Sequence, residues 1–175
     1  MTLYAIRLAV LALILLAGPA HAEPAASVVD GDTIKLNGTT YRLHGIDAPE
    51  KSQVCQRDSI DWLCGQEAAA HLRGLVAGRS VTCEARDRDR YGRIVAICRA
   101  SGLDLNRAMV RAGLAWAYTQ YGRDYEDAEL EAQIMGNGVW ASNVQALPPW
   151  DWRRHRRGSG QSQSGANPGL TGLGR

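Results

Sequence analysis

Residues 28–50, VVDGDTIKLNGTTYRLHGIDAPE, hold side chains that could carry out chemistry together. They contain one arginine, Arg42, and four carboxylates: Asp30, Asp32, Asp47 and Glu50. Carboxylates that gather at one point need a bound cation or a shared proton. Carboxylate oxygens are hard ligands, suited to Ca²⁺ or Mg²⁺. The stretch therefore predicts a metal site, and its alternative is an acidic hairpin made of ordinary turn residues.

Two strand-like segments must position these carboxylates. Residues 28–36 and 39–46 are rich in Val, Ile, Thr and Tyr, and the Asn-Gly pair between them is a strong signal for a tight hairpin. In that hairpin the start of the first strand lies beside the end of the second, so Asp32 and Asp47 can approach each other. For Asp30, a hydrogen bond within a turn is as good an interpretation as metal ligation.

Two arginines extend the predicted site toward a phosphate. Arg42 is on the second strand, and Arg93 begins a later strand after a Tyr-Gly turn. A divalent cation and guanidinium groups together neutralise a phosphodiester approaching its transition state. We therefore interpret Arg42 as a partner of the substrate's phosphate rather than as a counter-ion of its acidic neighbours. Glu50 remains to orient or deprotonate a water, although an ordinary pKa of about 4.3 makes it a modest base.

The rest of the chain predicts a small mixed domain. Residues 65–77, 103–113 and 123–135 have helical periodicity, and residues 80–86 and 93–99 alternate as strands. A strand-rich first half, one inserted helix, a hairpin and two helices indicate an α+β fold with a small antiparallel barrel or sheet.

Four cysteines in an exported chain favour disulfides, with three connectivities open. A hairpin turn near residues 90–91 would set Cys83 opposite Cys98. Our hypothesis is therefore that Cys83 pairs with Cys98, and that Cys55 pairs with Cys64.

The two ends of the chain differ from this domain. Residues 1–22 are typical of a secretory signal, with Arg7, an apolar run and an Ala-His-Ala cleavage site; a retained membrane anchor is the alternative. We expect an exported protein, periplasmic or secreted. Residues 148–175 are rich in Arg and Trp and then in Gly and Ser, and we expect a disordered tail. Its cluster RRHRR could hold phosphates, or be a solvated basic linker.

Several motifs, in this order, resemble the staphylococcal nuclease (thermonuclease) family: VVDGDTIKL, YRLHGIDAPE, DRYGR, LDLNRAMVRAGLAWAY and GNGVW. The resemblance covers roughly residues 28–143. It implies a five-stranded OB-type barrel with three helices, within a domain of residues 23–147. It also implies a Ca²⁺-dependent phosphodiesterase that cuts DNA and RNA and leaves 3′-phosphates.

The resemblance implies roles for individual residues. Asp32 and Asp47 match the side-chain calcium ligands, and Ala48 matches the position that gives its backbone carbonyl. Glu50 matches the general base or water-orienting carboxylate. The phosphate-holding arginines match Arg42 and Arg93.

Other parts of the family pattern are weaker or altered. Tyr118 and Tyr121 resemble the family's nucleotide-contacting tyrosines. Residues 51–64 form a cysteine-bracketed loop where the family has a mobile, lysine-rich loop. We expect a monomer with nucleic acid as its partner and no stable protein partner. The alternatives are a non-catalytic OB-type nucleic-acid-binding module and a cell-envelope interaction module.

Overall fold

The computed structural model describes residues 26–120 and 122–162. The signal segment, Tyr121 and residues 163–175 therefore lie outside the described residues. The strands are β1 (Ser27–Asp30), β2 (Thr33–Leu36), β3 (Thr39–Leu43), β4 (Ile46–Asp47), β5 (Cys55–Arg57), β6 (Ile60–Trp62), β7 (Val81–Arg88), β8 (Ile94–Ala100), β9 (Leu103–Asp104), β10 (Trp116–Ala117) and β11 (Val144–Gln145). The helices are α1 (Cys64–Val76), α2 (Leu105–Arg111), α3 (Glu126–Met135) and α4 (Pro149–Ser162), with a 3-10 turn at Gly138–Trp140.

The main sheet follows the order β1-β2-β3-β8-β7, with β9 added beside β8. Its central pair, β3 and β8, is parallel, and its other pairs are antiparallel. The prediction of an α+β fold on a five-stranded OB-type sheet is confirmed. The expectation of a purely antiparallel barrel was wrong at this pair, because the chain crosses over through α1 and β7 before it returns as β8.

The first predicted strand, residues 28–36, is in fact a hairpin of β1 and β2. The turn between them is Gly31-Asp32, with Asp30 paired to Thr33. Gly31 is required there by close packing, since a Cβ at this position would lie 2.7 Å from the Cβ of Ala48 and 2.8 Å from that of Ala68. The chain therefore turns just before β2, the strand that carries the buried Ile34. This turn holds Asp32, whose carboxylate lines the cavity described below.

The hairpin of β2 and β3 forms at the predicted place. Asn37 and Gly38 both have positive φ, at 51° and 79°. This is the requirement of a type I′ turn, which suits the twist of two antiparallel strands. The turn sets the register in which Thr33 pairs with Arg42. It thereby brings the residue after Asp32 next to Arg42.

Helix α4 occupies part of the segment that we expected to be disordered. Pro149 is at its first position and Asp151 is in its first turn, both of which favour a helix start. Trp150 holds the helix against the domain, with its ring centroid 6.5 Å from that of Trp116. This tertiary contact explains why a segment whose composition is typical of a disordered tail is helical here.

The core and two covalent links hold these elements together. Fully buried side chains from the sheet and the helices meet in one cluster, which includes Ile34, Leu43, Leu72, Leu105, Met109 and Val110. Both expected disulfides are present, Cys83–Cys98 across β7 and β8 and Cys55–Cys64 from β5 to the start of α1. No helix in the described ranges has the length and apolar character needed to cross a bilayer.

Candidate active site

A polar cavity of about 1010 Å³ opens beside the main sheet. The sequence-predicted residues that line it are Asp32, Arg42, Asp47, Ala48, Glu50, Arg93 and Tyr118. The structure therefore brings together side chains from the β1–β2 turn, β3, β4, the start of β8 and the segment after β10. The predicted Tyr121 is outside the described residues, so its placement stays a prediction.

The centre of the cavity wall is Arg42, which joins two buried carboxylates. Its Nη1 donates to Oδ1 of Asp32 at 2.7 Å, and its Nη2 donates to Oδ1 of Asp47 at 2.8 Å. Asp32 is 4% exposed and Asp47 is 1% exposed. The two carboxylates predicted to meet across the hairpin thus do meet, within reach of one guanidinium. We name this group of three residues the carboxylate corner.

The backbone also supports Asp32. Its Oδ2 accepts a hydrogen bond from the amide of Ala48 at 3.1 Å, and its Oδ1 accepts one from the hydroxyl of Thr33 at 3.0 Å. These contacts fix the carboxylate from two sides. They also place the backbone of Ala48, the residue expected to supply a carbonyl ligand, directly beside an expected carboxylate ligand.

Burial and charge act against each other in the carboxylate corner. Burial raises the pKa of Asp32 above its ordinary value, and the charge of Arg42 only partly offsets this. For Arg42, burial alone would lower the pKa, but the charges of Asp32 and Asp47 outweigh it and raise the pKa further. Arg42 is therefore a permanent cation here.

Arg42 is thus a counter-ion of Asp32 and Asp47 in this structure, whereas its role as a partner of the substrate's phosphate stays a prediction. The physical reason is that two buried carboxylates need a compensating positive charge. Its guanidinium nevertheless lines the cavity, with the side chain 21% exposed.

The residues of the carboxylate corner fit a hard divalent cation. Two carboxylates converge on one guanidinium at the cavity wall. Carboxylate oxygens, completed by backbone carbonyls and water, are the ligands that Ca²⁺ takes. Within the described ranges, no group of three or more His, Cys, Asp or Glu side chains is arranged as a metal site. A cation would therefore depend on carbonyl or water oxygens for the rest of its shell.

Glu50 is positioned through its backbone by residues that the sequence did not single out. Its amide donates to Oε1 of the buried Gln53 at 3.2 Å, and its carbonyl accepts from the Gln53 amide at 2.7 Å. Gly65 of α1 packs against the same carbonyl, where a Cβ would lie only 1.8 Å from the oxygen. Neither a Gln nor a Gly outside a recognised motif gives a signal for this role.

Arg153 of α4 is the main site residue that the sequence analysis did not assign. Its Nη1 donates to Oε1 of Glu50 at 2.6 Å, and its Nη2 donates to Oδ2 of Asp47 at 2.7 Å. Burial alone would lower the pKa of Arg153, but its bonds to Asp47 and Glu50 raise the pKa instead. The RRHRR cluster was the available signal, but it did not show which arginine faces the site.

Arg93 reaches the cavity from the hairpin of β7 and β8. Arg42 pairs with Val95 in the parallel register, so Arg93, two residues earlier, points to the same face of the sheet. The Nε of Arg93 donates to Oδ2 of Asp89 at 2.6 Å. Burial opposes a low pKa for Asp89, but the hydrogen bonds from Arg93 and the Tyr91 amide lower its pKa. We name the hairpin tip, residues 86–93, the hairpin wall.

Comparison with known sequences shows which proteins this chain is similar to. The sequence model of the family described as staphylococcal nuclease homologue matches residues 40–142. An Escherichia coli protein named uncharacterized endonuclease is 41% identical, covering 74% of this chain and 82% of its own length. The succinoglycan biosynthesis protein ExoI of Rhizobium meliloti is 42% identical, covering 75% of this chain and 73% of its own length.

A plant relative extends the comparison. The probable staphylococcal-like nuclease CAN1 of Oryza sativa subsp. japonica is 34% identical, covering 73% of this chain and 36% of its own length. The family match spans more than half of the chain, and the bacterial relatives align over most of their length. The chain therefore belongs to the staphylococcal nuclease homologue family, and the prediction of a nuclease-type enzyme is confirmed.

Proposed function

We propose that this protein is an exported, Ca²⁺-dependent nuclease that hydrolyses phosphodiester bonds of DNA and RNA and leaves 3′-phosphate ends. The observation that carries the proposal is the carboxylate corner. Two buried carboxylates and Arg42 lie at the wall of a cavity that also holds Glu50 and Arg93. Membership of the family and the relatives named as nucleases support the reaction class.

In this proposal Asp32 and Asp47 hold the cation, together with the backbone carbonyl of Ala48. A divalent cation bound there would supply Lewis-acid stabilisation of the scissile phosphate and would lower the pKa of a water. Arg42 lies between the two carboxylates and donates to the same phosphate from the side of β3. Both contacts become stronger as charge builds on the phosphate, which is the condition for rate acceleration.

Glu50 and Arg93 have complementary roles in the proposed reaction. Glu50 accepts a hydrogen bond from the attacking water and orients it for in-line displacement. Arg93 donates to the oxygens around the leaving 5′ position and stabilises the charge that develops there. Tyr118 lines the same cavity and would contact the nucleotide.

Export is part of the proposal. Two disulfides persist most readily in an oxidising compartment. We further propose that residues 1–22 are the signal, that residues 23–147 form the nuclease domain and that the mature protein acts as a monomer. These features support a periplasmic or secreted location.

The direct test is digestion of end-labelled single-stranded DNA and of RNA with Ca²⁺, with Mg²⁺ and with EDTA. We expect cleavage with Ca²⁺, a large loss of cleavage in EDTA, and 3′-phosphate ends that a phosphatase removes. Equal cleavage in EDTA would contradict a metal-dependent mechanism. Salt-dependent binding without cleavage in any metal would instead support a non-catalytic OB-type module.

A further inference from the structure

The C-terminal helix α4 brings a cation to the carboxylates on which the proposed reaction depends. Arg153 bonds to Glu50 at 2.6 Å and to Asp47 at 2.7 Å, so one guanidinium joins the expected water-orienting carboxylate to an expected cation ligand. The family match ends at residue 142, before this helix begins. Arg153 is therefore an addition to the site from outside the matched domain.

Packing fixes the position of Arg153. Trp150, three residues earlier on α4, places its ring centroid 5.7 Å from that of Tyr118 and 6.5 Å from that of Trp116. One turn of helix then separates this anchor from the arginine. The packing of α4 on the domain therefore determines where the Arg153 side chain lies relative to the carboxylates.

The charges around Arg153 indicate what it is for. When ionised, Asp32, Asp47 and Glu50 carry three negative charges, and Arg42 and Arg153 carry two positive ones. A divalent cation would turn this small deficit of positive charge into an excess, and one phosphodiester would neutralise that excess. Across these five side chains the charges balance when both cation and substrate are present, and Asp30, which lines the same cavity, adds one further negative charge.

We propose that Arg153 is a third phosphate-binding arginine of the substrate site. In the structure it is held by Asp47 and Glu50, and it turns to the substrate's phosphate when the cation takes over Asp47. The inference rests on the proposed function, since it takes a nucleic-acid strand as the ligand. Arginine suits this exchange because its planar donors match carboxylate and phosphate equally well.

Other arginines lie near Arg153 in the same cavity. Arg157, one turn further along α4, lines the same cavity, and among the described residues it has no ion-pair partner. The hairpin wall lines the same cavity with further arginines, including Arg86, Arg88 and Arg90, which outnumber its two carboxylates, Asp87 and Asp89. A strand that enters the cavity would thus meet basic side chains from both α4 and the hairpin wall.

Two variants of neighbouring arginines separate this role from general charge. Arg153→Gln removes the guanidinium from the site. The matched control Arg154→Gln removes the same charge from the same helix, at a side chain that is 73% exposed and pairs with Asp151. Arg153→Lys keeps the positive charge but loses the planar guanidinium. It therefore separates the effect of charge from the effect of bidentate hydrogen bonding. Thermal unfolding establishes that each variant is folded.

The experiment has two binding measurements on the full chain. Calorimetry gives the affinity for Ca²⁺ without nucleic acid. Fluorescence anisotropy at saturating Ca²⁺ and fixed salt gives the affinity for a labelled single strand whose bridging 5′ oxygens are replaced by methylene. This probe keeps the phosphate charge but cannot be cleaved.

The proposal predicts opposite signs for Arg153→Gln. Ca²⁺ should bind at least about threefold more tightly, because Asp47 is no longer shared. The strand should bind about tenfold more weakly, because a charge-assisted contact is lost. Arg154→Gln should change neither affinity by more than about twofold, and Arg153→Lys should bind the strand with intermediate affinity.

Every other pattern overturns the inference. Weaker binding of both ligands by Arg153→Gln would show a structural role, and unchanged binding would show no role. If the wild type binds the strand but does not cut an ordinary one, the proposed nuclease function fails while the opposite-sign result still supports Arg153. If the wild type binds no strand at all, both are overturned.

Discussion

The carboxylate corner and the hairpin wall line the same cavity, but they are held in different ways. In the corner, Arg42 is fixed between two carboxylates that are almost fully buried. In the hairpin wall, Arg93 is held by Asp89, four residues away in the same turn, and Tyr91 at the tip is 71% exposed. One side is part of the core, and the other is a local turn on the surface.

This difference separates stability from activity. A buried ion pair that loses one partner leaves an uncompensated charge, which is strongly destabilising. The Arg93–Asp89 pair is partly open to solvent, with side chains 28% and 18% exposed, so water and salt screen it and it contributes less to stability. Residues of the carboxylate corner should therefore affect both folding and catalysis, whereas residues of the hairpin wall should affect catalysis alone.

The largest expected effect is that of Arg42→Gln. It removes the cation between Asp32 and Asp47, so the free energy of unfolding should fall by about 3 kcal/mol. Cleavage should also fall by a factor of about 10³, because a donor to the phosphate is lost. Urea unfolding and initial rates measure the two effects, and normal stability with reduced activity would remove the distinction between the two regions.

Arg93→Gln tests the other side of the comparison. We expect the cleavage rate to fall by about 10²-fold, since a donor at the leaving group is lost. The free energy of unfolding should change by less than about 1 kcal/mol, because the partner Asp89 remains in contact with solvent. A stability loss as large as that of Arg42→Gln would show that the hairpin wall is as tightly coupled to the core as the carboxylate corner.

Two glycines of α1 test whether the position of Glu50 depends on close backbone packing. Gly65→Ala would place a Cβ 1.8 Å from the carbonyl oxygen of Glu50, so we expect about 2 kcal/mol of destabilisation and a reduced rate. Gly74→Ala meets nothing within 4 Å and should stabilise the helix by about 0.5–1 kcal/mol. Thermal unfolding of the pair is the measurement, and equal shifts of Tm would contradict this packing account.

The smallest effect belongs to Asp89→Asn in the hairpin wall. The pKa of Asp89 is lowered in the folded protein, so its contribution to stability is complete above its ordinary pKa and is lost as pH falls through the lowered value. Wild type and variant should thus differ slightly at pH 7 and become equal at strongly acid pH. Unfolding midpoints measured from pH 7 down to pH 2 check the sign, and a difference that grows toward acid would contradict it.

The parts of the fold that the sequence predicted are those with local causes. The Asn37-Gly38 turn needs positive φ at two adjacent positions, and this fixes the hairpin and its register. That register brings Asp32 and Asp47 together. The pairing of Cys83 with Cys98 follows in the same way from a short hairpin.

The parts that the sequence did not predict depend on distant contacts. The parallel pair of β3 and β8 joins strands that are separated in the chain by four other strands and helix α1. Helix α4 has the composition of a solvated tail, and tertiary contacts order it: Trp150 packs on Trp116 and Tyr118, and Arg153 bonds to Asp47 and Glu50. Without that contact, nothing local shows that Arg153 rather than Arg154 faces Glu50.

The central claim is that Glu50 acts on water beside a bound cation in this cavity. Single-turnover cleavage of single-stranded DNA with saturating Ca²⁺ tests it most directly, comparing wild type, Glu50→Gln and the control Arg154→Gln. We expect a loss of about 10²–10⁴-fold for Glu50→Gln with unchanged folding, and a normal rate for the control. A Glu50→Gln rate equal to that of the wild type would contradict it.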